Sequence, residues 1–357
     1  MRLALLKSFL GYLQSLKSRA AIARLGLVGL CGLALWLELS VGSVRIPFQE
    51  VLAILLGGEP STATWKTIVL TFRLPKALTA IATGIALPVA GLQMQTLFGN
   101  PLAGPFVLGI GSGASLGVAI VVTLGTSFGG LFGGALTGSW GRVGAASLGA
   151  AAVFVLVALV AQRIRSRETL LLLGLMFGYA TNAIVTILLH FSNPDRVQSF
   201  LIWTFGSFGG VTWDRLGILA AAVAIGLAVA IAMANPLNVL LLGESAARSL
   251  GLSVRAVFAG TLVGSALLVG SVTAFCGPIA FLGIAVPHLS RSLLQTADLR
   301  ALLPVVMLLG ATLALFADWL AQVPSFSVVL PLNSVMAILG TPVVVRAILQ
   351  RSRTVSP

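Results

Sequence analysis

Acidic residues are what this chain lacks most: nine Asp and Glu stand in 357 residues, against 22 Lys and Arg, and charged residues of both signs make up only 9%. A soluble domain carries roughly a quarter of its residues as charged side chains, so this chain cannot coat a water-facing globule. That excludes a cytosolic enzyme, and the 58% of hydrophobic residues exclude a disordered chain. Cysteine is almost absent. Cys31 and Cys276 both lie in apolar runs, LVGLCGLAL and SVTAFCGPI, which rules out a disulfide framework and suits small buried hydrophobes. Lysine occurs four times and never after glycine, so no Walker A loop exists and the chain cannot bind ATP through one. There is no HExxH, and His190 and His288 are far apart, which leaves no zinc motif. No cofactor is expected.

What is there is long apolar runs. Crossing about 30 Å of hydrocarbon takes about 20 apolar residues in a helix. Ten segments qualify: 25–43, 76–97, 105–124, 144–162, 170–191, 216–234, 256–275, 277–294, 301–321 and 328–349; the breaks near 98–104 and 276 are shallow, and hydropathy alone would allow eight. The runs are continuous, unlike the alternating strands of about ten residues in a membrane barrel. The fold predicted is an all-α polytopic membrane protein, with one transmembrane domain over 25–350 behind a basic segment, 1–24. That segment (Arg2, Lys7, Lys17, Arg19, Arg24) and the apolar stretch after it look superficially like a signal peptide, but no small-residue cleavage site follows. The first span is read as retained.

Orientation follows from Lys and Arg near the span ends. Ten spans with both termini cytoplasmic put fifteen on the inner face (the five above, Arg163, Arg165, Arg167, Arg248, Arg255, Arg291, Arg300, Arg346, Arg351 and Arg353). Seven are left outside (Arg45, Lys66, Arg73, Lys76, Arg142, Arg196 and Arg215). The positive charge is therefore topogenic, its partner is membrane lipid, and a nucleic-acid role is excluded. The glycine cluster Gly109, Gly111, Gly113 and Gly117 overlaps a dinucleotide fingerprint and a nucleophile elbow. Both need a strand before them, so the cluster reads as close helix packing. Asp318 is the only acid well inside a span, with Glu38 near the outer end of the first. Asp318 reads as a helix-end residue near the outer interface, paired with water or a neighbour. An ion-coupled secondary transporter, the alternative reading, keeps ionisable groups in its spans. Their scarcity here says that the energy for transport comes from elsewhere.

Between the sixth and seventh spans, in a loop over about 236–255, lies Leu242-Gly243-Glu244-Ser245-Ala246-Ala247-Arg248-Ser249-Leu250-Gly251. Glu244 suits a helix N-terminus and Gly251 a C-terminal cap. Ala246, Ala247 and Leu250 would form an apolar face. The segment reads as a short surface helix, either bland and interfacial or a plug for a partner's groove.

These residues, with Arg73-Leu74-Pro75-Lys76, Gly91 and Gln95, Asn100-Pro101-Leu102-Ala103, Trp203 with Gly206-Ser207, Gly277-Pro278-Ile279, Pro287-His288 with Arg291, and Leu330-Pro331, form an ordered set. Spaced through ten spans, the set resembles the FecCD/BtuC-like permeases, the membrane subunits of type II ABC importers for iron-siderophore, haem or cobalamin. The resemblance covers about residues 66–350 and implies inverted-topology halves. One trace is visible: Gly104-Pro105-Phe106-Val107-Leu108-Gly109-Ile110 echoes Gly277-Pro278-Ile279-Ala280-Phe281-Leu282-Gly283-Ile284 with one residue inserted, which alone establishes no repeat. It also implies a bacterial inner-membrane location, two ATP-binding subunits, a second permease subunit (homodimer or heterodimer) and a periplasmic or lipid-anchored substrate-binding protein. The substrate expected first is an iron-siderophore, with haem and cobalamin behind.

The resemblance carries roles over residue by residue. Gly243, Glu244, Ser245, Ala246, Ala247, Arg248, Leu250 and Gly251 form a coupling helix for the ATPase. Arg73 and Lys76 dock the binding protein, an interfacial anchor being the plainer alternative. Gln95, Asn100, Pro101 and Leu102 line the path or its cytoplasmic gate, with Glu168 and Thr169 opposite. Gly104, Gln322, Val329 and Asn333 depart from the family's usual residues.

Overall fold

A computed structural model gives the architecture for residues 2–42, 44–106, 108–124, 138–161, 163–164, 166–322 and 329–355. Val107 of the echoed segment, Arg165 and the span-end residues 162 and 328 lie outside the described residues, as do the side chains of Arg2, Lys7, Lys17, Arg19, Arg167, Arg351 and Arg353. Among the described residues all regular secondary structure is helical, with no strand. Backbone in hydrocarbon must satisfy its own hydrogen bonds, which a helix does without neighbours.

In chain order, α1 is Arg2–Ser40, α2 Phe48–Leu55 and α3 Ala63–Thr67; the last runs through a π turn, Ile68–Arg73, into α4, Leu74–Phe98. Next come α5 (Ile110–Leu124), α6 (Ser139–Ala161), α7 (Arg167–His190), α8 (Pro194–Thr204) and α9 (Trp213–Leu240). The chain closes with α10 (Glu244–Ser249), α11 (Val254–Cys276), α12 (Leu282–Leu294), α13 (Leu299–Ala321) and α14 (Leu332–Val355). Each of the ten predicted segments falls on one helix. Among the described residues seven helices are long and apolar enough to cross a membrane, α3 and α4 counting as one continuous rod; α5, α12 and the apolar part of α14, Leu332–Arg346, are shorter.

The bundle is built around α4, whose residues from Ala86 to Phe98 are all buried. Helices α1, α9, α11, α12 and α13 pack on it. Close approach explains its glycines. A Cβ on Gly91 would stand 1.8 Å from the Gly283 carbonyl oxygen, and one on Gly84 would stand 2.4 Å from that of Gly310. The predicted glycine cluster does the same between α5 and α6, where a Cβ on Gly117 would meet the Ala145 oxygen at 1.9 Å. Backbones this close exclude side chains, and small residues set the helix spacing.

Two ends follow from the packing. Arg73, at the start of α4, reaches Leu39 at the end of α1, and Gln322, after α13, reaches Glu38. Thus α1 and α13 run parallel and α4 runs against them. This end carries α2, α3 and α8; the other carries α10. Following the helices along the chain, the described basic residues sort to the ends as the charge pattern predicts: Arg45, Lys66, Arg142, Arg196 and Arg215 at the α2 end, and Arg163, Arg248, Arg255, Arg300 and Arg346 at the α10 end. Helix α7 is poorly covered, with Leu172, Met176, Tyr179 and Ile187 all exposed.

Candidate functional site

Two interruptions of the helical rods meet inside the bundle. The first follows α4. Gly99, at φ +61°, ends the helix, and the Asn100 amide turns back to the Gln95 carbonyl at 3.1 Å. Asn100 then accepts from the Leu102 amide at 3.0 Å, closing a tight Asx turn. From there residues 103–106 and 108–109 re-enter the bundle, where Gly104 and Pro105 press on Ile284 and Gly283. The second interruption is 277–281, between α11 and α12. It starts beside Thr83, whose hydroxyl is 3.6 Å from the Cys276 sulfur. Thr83 lies roughly 14 Å along α4, at 1.5 Å per residue. Each echoed Gly-Pro pair therefore sits in a break, and Gly104-Pro105 of the first break packs on Gly283-Ile284, the far end of the second echo.

Unwound backbone at this depth survives only where protein satisfies it. Here Asn333 does so. Its amide nitrogen donates to the Thr204 carbonyl at 2.8 Å and the Pro278 carbonyl at 2.5 Å, its amide oxygen accepts from the Ala280 N–H at 3.1 Å, and its own N–H donates to Phe205 O at 3.1 Å. The Ser207 amide donates to the Cys276 carbonyl at 2.9 Å, and a Cβ on Gly277 would stand 2.4 Å from Trp203 O. Three separate sequence motifs, Trp203 with Gly206-Ser207, Gly277-Pro278 and Leu330-Pro331, thus converge on one knot. Asn333 is its hub. Replacing it with alanine should cost about 1–3 kcal/mol for each buried group left unpaired, read as a lowered melting temperature in detergent. A melt matching the parent protein would show the knot closes without it.

Gln95 is buried and points into the protein. Its amide nitrogen donates to Ile284 O at 3.3 Å and its oxygen accepts from the Arg291 guanidinium, which also donates to the Thr96 hydroxyl at 3.4 Å. Gln93, which sequence reasoning passed over, is fully buried and ties α4 to α9 through Ala230 O at 3.4 Å and to α11 through Ser265 at 3.3 Å. Two glutamines in an apolar helix were the signal. Glu168 and Thr169 open α7 at the same end as Asn100, Pro101 and Leu102. Ser166 caps that helix by accepting from the Thr169 amide at 3.3 Å. No hydrogen bond or ion pair joins these two groups among the described residues.

At the α2 end, charge is concentrated indoors. Glu38 is 1% exposed and Asp318 5%. The Lys76 ammonium stands between them, paired with both, 3.4 Å from Glu38 Oε1 and 2.9 Å from Asp318 Oδ2. Gln322 donates to both Glu38 oxygens, at 2.8 and 2.9 Å. Asp318 thus has the neighbour that its sequence position called for, but it is buried, not at a wet interface. Arg73, 7% exposed, donates to the Leu39 carbonyl at 2.7 Å and to the Val44 carbonyl. Arg73 and Lys76 are engaged within this chain, with their donors turned inward, so the geometry makes them ties between α1, α4 and α13 and gives no support to a surface docking role. Nearby, the Ser61 N–H and hydroxyl donate to Glu50 at 3.0 and 2.7 Å and hold its carboxyl below the ordinary value.

At the opposite end α10 stands on the surface. Gly243, at φ +98°, starts it, and Gly251, at φ +81°, ends it. The Gly251 and Leu252 amides close its last turn on Arg248 and Ala247 carbonyls at 2.9 and 3.0 Å. Arg248 reaches Glu244 at 3.4 Å. The apolar face expected from Ala246, Ala247 and Leu250 is divided. Ala247 is fully buried, while Leu250 is 68% exposed beside exposed Leu241 and Leu242. Six residues packed on α9 and α11 have room for only one anchor; the leucines at the ends face outward. Ser245 and Arg248 are exposed as well. Cys31, expected to be buried, is half-buried, and Cys276 is buried.

Comparison with known proteins agrees with this architecture. The model of the FecCD transport family matches residues 30–350. The vitamin B12 import system permease protein BtuC of Klebsiella pneumoniae is 35% identical, over 96% of this chain and 97% of that protein. The protein of the same description from Citrobacter koseri is 34% identical, over 88% of this chain and 94% of its own length. Among solved structures, a chain described as a metal-chelate type ABC transporter in an inward-facing conformation superposes with a TM-score of 0.79 at 24% identity, covering 92% of this chain and 98% of its own. The absent P-loop, the broken helices and the surface knob have one common explanation: the chain belongs to the FecCD transport family and is a multi-pass membrane permease subunit of an ABC importer, not itself an enzyme, with the ATPase on a separate subunit.

Proposed function

We propose that this chain forms one half of the translocation path for a cobalt-corrinoid of the vitamin B12 class. The relatives at 34–35% identity carry that description, which favours cobalamin over the iron-siderophore and haem expected from family frequency. On this reading the α10 end is cytoplasmic, the α2 end faces out, both termini lie inside and the membrane is a bacterial inner membrane. The partition of basic residues between the two ends supports this, since Lys and Arg accumulate on the cytoplasmic side.

The observation that carries the reading is the exposed α10, set on the bundle by one buried alanine and flanked by exposed leucines. A rigid, half-apolar peg on the cytoplasmic face of a protein without a nucleotide loop fits a groove on an ATP-binding subunit. Two such subunits serve two permease subunits, and the uncovered side of α7 is the face for the second permease. Closure of the ATPase pair would push α10 and, through α9 and α11, shift the helices around the two interruptions. Asn100, Pro101 and Leu102, with Glu168 and Thr169 across the α10 end, form the cytoplasmic gate. Arg73 and Lys76 hold the outer ends of α1, α4 and α13 as the platform that a binding protein meets.

The test is substrate competition in vesicles holding the complete importer with its binding protein. Labelled cyanocobalamin should accumulate on ATP addition and an excess of ferric siderophore should leave the rate unchanged. Accumulation of the siderophore and not of the corrinoid would overturn the assignment.

A further inference from the structure

A cavity of about 660 Å³ opens between α1, α4, α9 and α13. Its walls are apolar, Cys31 at one end and Ile85, Ile231 and Leu308 along its length, and its other end carries Arg300 and Asn235. The level of each residue on its helix places the polar end toward α10 and Cys31 toward the middle of the bundle. The groove opens sideways between the helices, with Ile231 at its rim 56% exposed. This volume lies within the range of roughly 300–1,000 Å³ typical of ligand pockets. Its walls offer water almost nothing to bond, so water is a poor filler. What surrounds these helices is lipid.

The polar end says which lipid. The Arg300 guanidinium is exposed and has no ion-pair or hydrogen-bond partner among the described residues. The nearest acid in sequence, Asp298, is already engaged: its carboxylate accepts from the Asn238 amide at 2.6 Å and from the backbone N–H of Arg300 at 3.0 Å. Asn238 in turn accepts from the Leu299 N–H at 2.9 Å, which fixes the start of α13 against α9. Arg24 of α1 is exposed at the same end. An unpaired arginine where a spanning helix begins is placed for a phosphate, and anionic headgroups are attracted to basic side chains at this depth.

We propose that the groove is a binding site for one anionic phospholipid, with an acyl chain along Ile85, Ile231 and Leu308 as far as Cys31 and its phosphate on Arg300. The lipid would wedge α1 and α9 against α4 and α13, the helices that join the α10 end to the Glu38–Lys76–Asp318 cluster. This rests on the membrane embedding of the chain and is independent of what the importer carries.

The experiment uses the full-length protein in bilayers of phosphatidylcholine that contain either a phosphatidylglycerol or a phosphatidylcholine analogue with a photoreactive group midway along one acyl chain. Crosslinks are mapped by peptide mass spectrometry. The phosphatidylglycerol probe should label the peptides around Cys31, Ile85 and Leu308 several-fold more than the phosphatidylcholine probe, at one lipid per chain. Arg300→Gln should abolish that preference. Ile231→Trp, which fills the groove from its 56% exposed rim, should suppress labelling by both probes. Both changes are at exposed positions, so melting curves matching the parent show that folding is intact. Equal labelling by the two headgroups, crosslinks scattered over the outer helices, or an undiminished preference in Arg300→Gln would each overturn the site.

Discussion

Replacing Lys76 with methionine should cost about 3–5 kcal/mol of stability, the typical penalty for leaving buried charge without its partner. The ammonium is the only cation within 4 Å of Glu38 and Asp318 among the described residues. Without it, two carboxylates in one desolvated site repel, and the Gln322 amide reaches the Glu38 carboxylate but, on Asp318, only the main-chain carbonyl. Methionine has nearly the same length, so lost packing is small and the effect isolates the charge. A second change then becomes diagnostic. Replacing a buried ion pair by apolar groups of similar volume is often neutral, so Lys76→Met with Asp318→Leu should recover most of the loss. The measurement is thermal unfolding in detergent of the parent, the single variant and the double variant. A single variant as stable as the parent would mean that Lys76 lies in water and ties nothing.

The second large effect concerns α10. A flexible glycine-serine linker of equal length in place of residues 243–251 should leave the bundle assembled, because only Ala247 of that stretch is buried. ATP-driven uptake by the complete importer should fall by roughly 100-fold, the upper end of an ordinary coupling free energy of about 3 kcal/mol. A milder version keeps the helix. Leu250→Asp with Leu242→Asp changes only exposed side chains, so it should uncouple hydrolysis from uptake while melting as the parent does. ATPase activity that still responded to the binding protein in the linker variant would place the coupling contact elsewhere.

How much of this was legible in the residues differs from element to element. The apolar spans were, because hydrocarbon demands about 20 apolar residues at a time and the chain's few charges fall mostly between such runs. The glycine cluster at 109–117 announced close packing, and the ends of α10 were marked by Glu244 and Gly251. What could not be read is whatever depends on a distant partner. Arg73 looked like a surface cation and is buried, because the carbonyls of Leu39 and Val44 need donors where α1 ends. Gln322 and Asn333 stood out only as departures from a family pattern; their roles as bridge to Glu38 and hub of the 277–281 break exist only once α1, α8 and α14 have been brought beside them. The apolar face assigned to α10 failed for a related reason: six residues make under two turns, so one side is claimed by the bundle and the rest left outside.

The most direct test of the central claim, that this permease is moved by a separate ATPase, is uptake of labelled cyanocobalamin into proteoliposomes that hold the chain alone or with its ATP-binding subunits and binding protein. Accumulation should require the full assembly and ATP, and should survive an uncoupler that collapses ion gradients. Rapid uptake by the chain alone, or uptake that an uncoupler abolishes while ATP is present, would contradict it.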